Sequence, residues 1–350
     1  MSIGDRIKLA RKRMSMSQDA LAQQAQVSKM AISKYEREED IPSSGVLLRL
    51  SSALQMPVEF FFRPPAARVQ LQAFRKRSSL GAKEQEAVMA QIQEWLERYL
   101  EIEEILQEDQ SPVSLPKFQV SSLDDIENAA LELRRLWNLG DDAIENLMEL
   151  LEDQKIKVGL VNGFDDFDAC TFQAGESPVI VTKQGQPGDR QRFNLAHELG
   201  HLVLEVGQDM AAEKAAHRFA GAFLVPAETA RRELGEQRSN LDFNELYLLK
   251  RKYGLSMQAW VSRARGLHII DENTMERLFR VFSAKGWRKN EPGEPLISEE
   301  PLRMQRLIFR AFAEDLISHT RAEELLGTAL DPVWVVKALK NDVAAAGINY

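Results

Sequence analysis

His197-Glu198-Leu199-Gly200-His201 sets two imidazoles four residues apart, with a carboxylate directly after the first. Four residues is close to one helical turn, so both rings project from one helix face and can share a metal, with Glu198 beside the next coordination position. These residue types at this spacing suit metal-assisted hydrolysis: the imidazoles hold a divalent cation, and Glu198 acts as general base, taking a proton from water and passing it to the leaving amine. Only five histidines occur in the chain, which makes the pair specific against a sparse background. Ala196, Leu199, Gly200 and Val203 supply an apolar side by which such a helix can be buried while its histidines face a cleft.

Two protein ligands are too few, because a catalytic zinc usually takes three and leaves a position for water. Glu213 and His217 lie four apart on the next helical stretch, whose buried side would be Ala216, Phe219, Ala220 and Phe223. Glu213 is the expected third ligand, with His217 behind it orienting a ligating imidazole. The alternative keeps His217 as the ligand and leaves Glu213 as an ordinary first-turn carboxylate. The expected cofactor is one Zn2+ per chain, although the same donors accept Mn2+ or Fe2+. Tyr247 and Tyr253 are candidates for oxyanion stabilisation by location alone, and packing is the commoner role for such rings.

The elements that position these groups can be read from periodicity. In residues 1–63, Ile3, Ile7, Ala10 and Met14 share one helix face. Ser17 and Ser28 are N-cap candidates for two short helices joined at Gln26-Val27, the helix-turn-helix outline. Leu47, Leu50 and Leu54 mark a fourth helix; Pro57 opens a fifth ending in Phe60-Phe61-Phe62, and Pro64-Pro65 closes the unit. Residues 64–112 form a linker whose helix from Ala82 to Gln107 carries Val88, Ile92, Trp95, Tyr99, Ile102 and Leu106 at heptad spacing. That seam either dimerises or packs on its own chain. Gln110-Ser111-Pro112 breaks the helix, and the metal-binding domain is assigned to residues 113–290. There a helical stretch from Leu123 to Leu151 is interrupted at Gly140, and strands are expected at Lys155–Val161, Ala169–Phe172 and Val179–Val181 as a short meander. Everything after Arg192 reads as helix and loop, with residues 291–350 a helical C-terminal region of unassigned role. The fold class is α+β, mostly α: a five-helix head, a long linker helix, and a zincin-like domain with a small three-stranded sheet.

The run from Arg190 to Leu202, followed by Glu213 through Phe223-Leu224-Val225-Pro226, resembles the ImmA/IrrE metallopeptidases, and the likeness extends over roughly residues 120–290. Ser17-Gln18-Asp19-Ala20-Leu21-Ala22 and Val27 through Glu36 resemble the Xre or Cro/C1-type helix-turn-helix. The first resemblance implies a gluzincin-like site with His197, His201 and Glu213 as ligands and Glu198 as general base. It also implies cleavage of helix-turn-helix repressors in mobile-element, stress or toxin–antitoxin control. Asn194, where Thr or Ser is commoner, and His217, where Asn or Asp is more usual, depart from the family pattern.

In a helix-turn-helix the third helix enters the major groove of double-stranded operator DNA. The candidate contacts are Ser28, Lys29, Met30, Ser33 and Lys34, with Gln18 added by resemblance. Net charge is -8, but residues 1–63 carry ten Lys/Arg against seven Asp/Glu, so a head of +3 sits on a body of -11. Glu36, Glu38, Glu39 and Asp40 form an acidic run beside the groove-facing helix. Binding to a pseudo-palindromic operator implies a homodimer. No apolar run approaches the ~18 residues a membrane helix requires, and the single Cys170 excludes an intramolecular disulfide, so a cytoplasmic chain is expected. The enzyme reading gives a DNA-binding peptidase acting on a regulatory protein. The competing reading is a non-enzymatic, metal-responsive regulator or antitoxin. Glu198 favours the enzyme, since a structural zinc is normally closed by four protein ligands and has no use for a base.

Overall fold

The computed structural model describes residues 2–63, 71–72, 80–109, 113–175 and 177–330. The breaks expected at Pro64-Pro65 and at Gln110-Ser111-Pro112 are therefore wholly or partly outside the described residues, as are residues 331–350 of the C-terminal region. No described helix is long and apolar enough to cross a membrane. The chain divides into two compact units.

The first unit comprises residues 1–69, 89–111 and 302–350. Its head holds α1 (Ile3–Arg13), α2 (Gln18–Gln24), α3 (Lys29–Glu36) and α4 (Ser44–Leu54), and the expected fifth helix is a 3-10 turn, Val58–Phe62. Both predicted caps are in place, with Ser17 Oγ accepting from Ala20 N and Ser28 Oγ from Ala31 N, each at 3.1 Å. Ile7, Leu21, Ile32, Leu50, Phe60 and Phe61 form the core. One two-residue strand, which belongs to the second unit, and a long helix follow in chain order. β1 is Leu71–Gln72 and α5 is Ala82–Ile105, of which Met89 onward belongs to this unit. Buried Arg6 pairs with Glu97 of α5 and lies over the Phe60 ring. The heptad seam from Trp95 onward is occupied within the chain. Tyr99 and Ile102 pack with Met304, Leu307, Ile308 and Ala311 from helix Arg303–Ala313, and with Ala322 and Leu325 from helix His319–Leu326.

The second unit comprises residues 70–88 and 112–301. Its elements are β2 (Phe118–Val120), α6 (Leu123–Leu136), α7 (Leu147–Asp153), β3 (Lys157–Val161), β4 (Ala169–Ala174), β5 (Ser177–Lys183), α8 (Gly188–Val203), β6 (Leu204–Val206), α9 (Ala212–Leu224), α10 (Ala227–Leu234), α11 (Phe243–Tyr253), α12 (Met257–Gly266) and α13 (Glu272–Ala284). The two C-terminal helices of the first unit are then α14 and α15.

The three expected strands are present, joined at the β4 edge by the two residues of β1, in the order β1-β4-β5-β3. They do not form a meander. β4 runs antiparallel to β5, whereas β3 pairs parallel to β5, with Val158 opposite Ile180. The burial pattern gives the reason: Pro178 to Thr182 is buried without alternation, so β5 needs a neighbour on each side and cover on both faces. A second departure follows α8, where Leu204–Val206 leaves the helix as a strand and pairs parallel to β2. The core surrounds α8 and α9, with Leu195, Leu199, Val203, Phe219 and Phe223 fully buried.

Candidate metal centre and helix-turn-helix face

α8 carries His197, Glu198 and His201, and α9 brings Glu213 in its first turn. The helices approach closely because small residues face each other. A Cβ at Gly200 would stand 3.1 Å from Ala216 Cα and 3.1 Å from Phe219 Cδ1. Ala216 and the edge of the Phe219 ring form this contact from α9, and the Phe219 ring stacks on Phe223 at 5.6 Å.

That approach brings three donor atoms together. One ligand atom from each of His197, His201 and Glu213 lies within 4.8 Å of the other two. The Nε2 atoms of the imidazoles are 3.1 Å apart, and the Glu213 carboxylate stands 3.4 Å from His197 Nε2 and 3.6 Å from His201 Nε2. Two imidazoles and one carboxylate suit a divalent transition metal. Burial, with the neighbouring His201, pushes the His197 pKa down to about 4, so this ring is an uncharged lone-pair donor at neutral pH. Glu198 is buried, and burial, assisted by the charge on Glu213, pushes its pKa up to about 8 in the metal-free protein. Cys170 of β4 is close enough for the Glu198 charge to add to burial in raising its thiol pKa.

A cavity of about 430 Å³ opens against two of the three, His197 and Glu213, and is lined also by Phe193, His217, Gly221 and Ala259 among others. His217 stands on that wall, its ring 4.8 Å from the Phe193 ring, and contributes no atom to the trio. Asn194 donates to Gln186 Oε1 at 2.9 Å. Tyr253 is not available to an oxyanion, since its hydroxyl donates to Glu233 at 2.6 Å and its ring packs edge-on against Trp260. The Tyr247 ring instead lies against Gly293, where a Cβ would overlap it.

Sequence reasoning missed the supports behind these groups. Glu127 of α6 receives Arg263 at 2.6 Å and Arg218 at 2.5 Å, tying α6, α9 and α12 together beside the cavity. Arg134 donates to Gly140 O, Phe223 O and Asp142 O, fixing the loop after α6 to the end of α9. Charged residues at helical spacing look like solvated faces in sequence, and only their burial here distinguishes them.

In the head, Ser28, Lys29, Met30 and Lys34 are exposed on α3, and Ser33 is half-buried beside them. Met30 is a large apolar side chain left 68% exposed on this helix. Lys29 pairs with Asp19 at 2.7 Å on the surface. Gln18 donates to Glu36 at 2.8 Å, and the same carboxylate takes Arg11 through two bonds. Glu36 is therefore buried and neutralised, so it does not belong to the repelling acidic run that its place in the sequence suggests.

These two regions coincide with two family matches. Residues 156–265 match the family model of the IrrE N-terminal-like domain, Peptidase_M78, and residues 7–61 match the Helix-turn-helix family HTH_3. The protein thus joins a metallopeptidase-type domain to a helix-turn-helix DNA-binding domain. The match to the IrrE N-terminal-like model and the match to the helix-turn-helix model each cover one domain of the chain. No curated protein matches the chain. Among solved structures, a chain of the "PrgX/iCF10 complex" aligns over 99% of this chain and 98% of its own, at 11% identity and a TM-score of 0.17, a likeness too low to carry any argument.

Proposed function

We propose that this protein is a DNA-binding, zinc-dependent peptidase that hydrolyses a peptide bond in a regulatory protein, a repressor of the helix-turn-helix type. The setting would be transcriptional, stress, mobile-element or toxin–antitoxin control. The observation that carries the reading is the convergence of His197, His201 and Glu213 donor atoms within 4.8 Å, with Glu198 buried on the same helix and an open cavity alongside.

His197, His201 and Glu213 would hold the metal, a gluzincin-like set; Mn2+ or Fe2+ would fit the same donors. When bound, the ion lowers the pKa of a water towards ~7 and polarises the scissile carbonyl. Glu198, one residue from His197, is the proton carrier. Its raised pKa reflects burial first and the Glu213 charge second, and a cation held by the three donors would favour the carboxylate form that a base requires. It then returns the proton to the leaving amine. Phe193, Gly221 and Ala259 shape the wall that would receive a substrate side chain. His217, on that wall, is a better candidate for contact with substrate than for ligation.

The head would bring this activity to an operator, with α3 presenting Ser28, Lys29, Met30, Ser33 and Lys34 to the major groove and Gln18 oriented by Glu36. A homodimer would suit a pseudo-palindrome. With the α5 seam from Trp95 onward covered by α14 and α15, its pairing surface would lie elsewhere than on that stretch.

The test is to incubate the zinc-loaded protein with repressors of this type encoded near it and follow the products by mass spectrometry. Wild type should cut one bond. Glu198→Gln should bind metal and DNA yet cut ~100-fold to 10,000-fold more slowly, because the amide is nearly isosteric and cannot accept the proton. Full activity in that variant would sink the mechanism, and a wild type that binds no metal would sink the enzyme reading.

A further inference from the structure

α8 has no conventional start. Its N-cap is Pro187, which offers no side-chain acceptor. The N–H of Gly188 donates instead to Leu296 O at 2.8 Å, more than one hundred residues along the chain. Gly188 has to lack a side chain for this, since a Cβ would overlap the Ile297 carbonyl oxygen. Residues 291–301 form a strap without helix or strand that follows this approach.

The next turn of α8 is committed to the same strap. Gln191, 1% exposed, accepts from Glu299 N at 2.7 Å and donates to Glu299 O at 3.2 Å, pairing its side-chain amide with the strap backbone. Arg192 pairs with the Glu299 carboxylate and also donates to Ile144 O at 2.5 Å. The second Glu299 oxygen accepts from Leu147 N and Met148 N, each at 2.9 Å, at the first turn of α7. At the other end of the strap, Glu291 accepts from Met257 N and Gln258 N at 3.0 Å, the first turn of α12. Glu291 also takes Lys250 at 2.9 Å, and Lys250 reaches Asp189 of α8 at 3.0 Å.

Glu299 and Glu291 therefore each satisfy two otherwise unpaired N–H groups at a helix start and close a buried charge network that ends on α8. Charge-assisted bonds of this kind are the stronger ones, and here they are shielded from water. The residues so held lie five to nine positions before His197. Rotation or fraying of this first turn would displace His197, Glu198 and His201 together.

We infer that the 291–301 strap is the N-terminal clamp of the active-site helix, with Glu299 as its principal positioning residue. The peptidase domain of this chain then functionally extends to Pro301, beyond the 156–265 region of the family match. The consequence for catalysis rests on the metallopeptidase reading; the clamp itself does not.

The test uses the full-length protein with Glu299→Gln, Gly188→Ala, which would push the strap off the helix, and exposed Glu300→Gln as control. Backbone amide exchange is measured without metal, and cobalt(II) is then titrated as a probe of ligand geometry. In the first two variants, amides from Gln191 to His197 should exchange on the order of tenfold faster while those of α9 hold. Cobalt should bind about tenfold more weakly with a changed visible band. Glu300→Gln should match wild type. The inference is overturned if α8 exchange is unchanged, or if all elements loosen together while the cobalt spectrum stays as in wild type. A wild type that takes up no cobalt would remove the metallopeptidase reading, and the exchange data would still decide the clamp.

Discussion

Gly200→Ala probes what sets the distance between the two ligand-bearing helices. A Cβ there would meet Ala216 Cα and Phe219 Cδ1 at 3.1 Å and Ala216 Cβ at 3.4 Å. Carbon atoms pack at about 3.5–4.0 Å, so the helices would have to separate by about 0.4 Å or more. Ala216 Cα is helix backbone and cannot rotate away. In stability, the change gains about 1 kcal/mol from helix propensity and loses about 1–3 kcal/mol from overpacking, a net loss of about 0–2 kcal/mol. In metal binding there is no compensation. A ligand shell tolerates about ±0.2 Å, so moving Glu213 from His197 and His201 should weaken zinc by about 10-fold to 100-fold. The assay is a zinc competition titration against a chromophoric chelator, paired with thermal unfolding of the metal-free protein. Gly221→Ala is the control, because it has the same propensity gain on α9 but its Cβ would meet only Arg263 Cδ, at 3.6 Å. It should keep zinc affinity and gain up to about 1 kcal/mol. If Gly200→Ala also gained about 1 kcal/mol and held its zinc affinity within about twofold, the close approach would not be what assembles the trio.

Three further outcomes are expected. In the metal-free protein, Glu198 titrates at about 8 when folded, against 4.5 for the ordinary carboxyl. Between about pH 6.5 and 8 the unfolded chain has already lost this proton while the folded chain keeps it, so stability should fall as pH rises through that window. His197, pushed down to about 4, stays uncharged in the folded state throughout. Thermal melts of wild type against Glu198→Gln should diverge with pH, and parallel curves would refute the assignment. Arg263→Ala should cost about 3 kcal/mol, the low end for a broken buried pair, because Arg218 still partners Glu127; a loss below about 1 kcal/mol in urea unfolding would count against this network. In the head, Lys34→Ala should lower the salt dependence of DNA binding by about one phosphate contact. Lys29→Ala should lower it less, because Lys29 is already paired with Asp19; equal slopes in a salt titration would contradict that ranking.

Much of this protein is local and could be read in order along the chain. Ser17 and Ser28 cap their helices as their positions imply, since a cap needs only an acceptor three residues before an N–H. His197 and His201 share a face because four residues are one helical turn, whatever surrounds them. The apolar stripe of α5 likewise announced a covered face. What covers it is α14 and α15, some two hundred residues away, and no local pattern specifies a partner at that distance. β3 and β5 were legible as strands, but their parallel pairing follows from which neighbours bury β5 on both sides.

The sequence by itself determined the chemistry on offer: two imidazoles and a base on one helix, with two further donors, Glu213 and His217, one helix later. Tertiary structure places those two donors differently. The Gly200–Ala216 contact lets α9 approach at a position that brings Glu213 to the imidazoles and leaves His217 against Phe193 on the cavity wall. The strap was likewise invisible, because Glu291 and Glu299 look like ordinary surface acids until the chain returns them to the starts of α12 and α7. Periodicity encodes the face a side chain occupies. Which distant group meets that face is set by the packing of whole helices, and that is a property of the folded core rather than of any stretch of sequence.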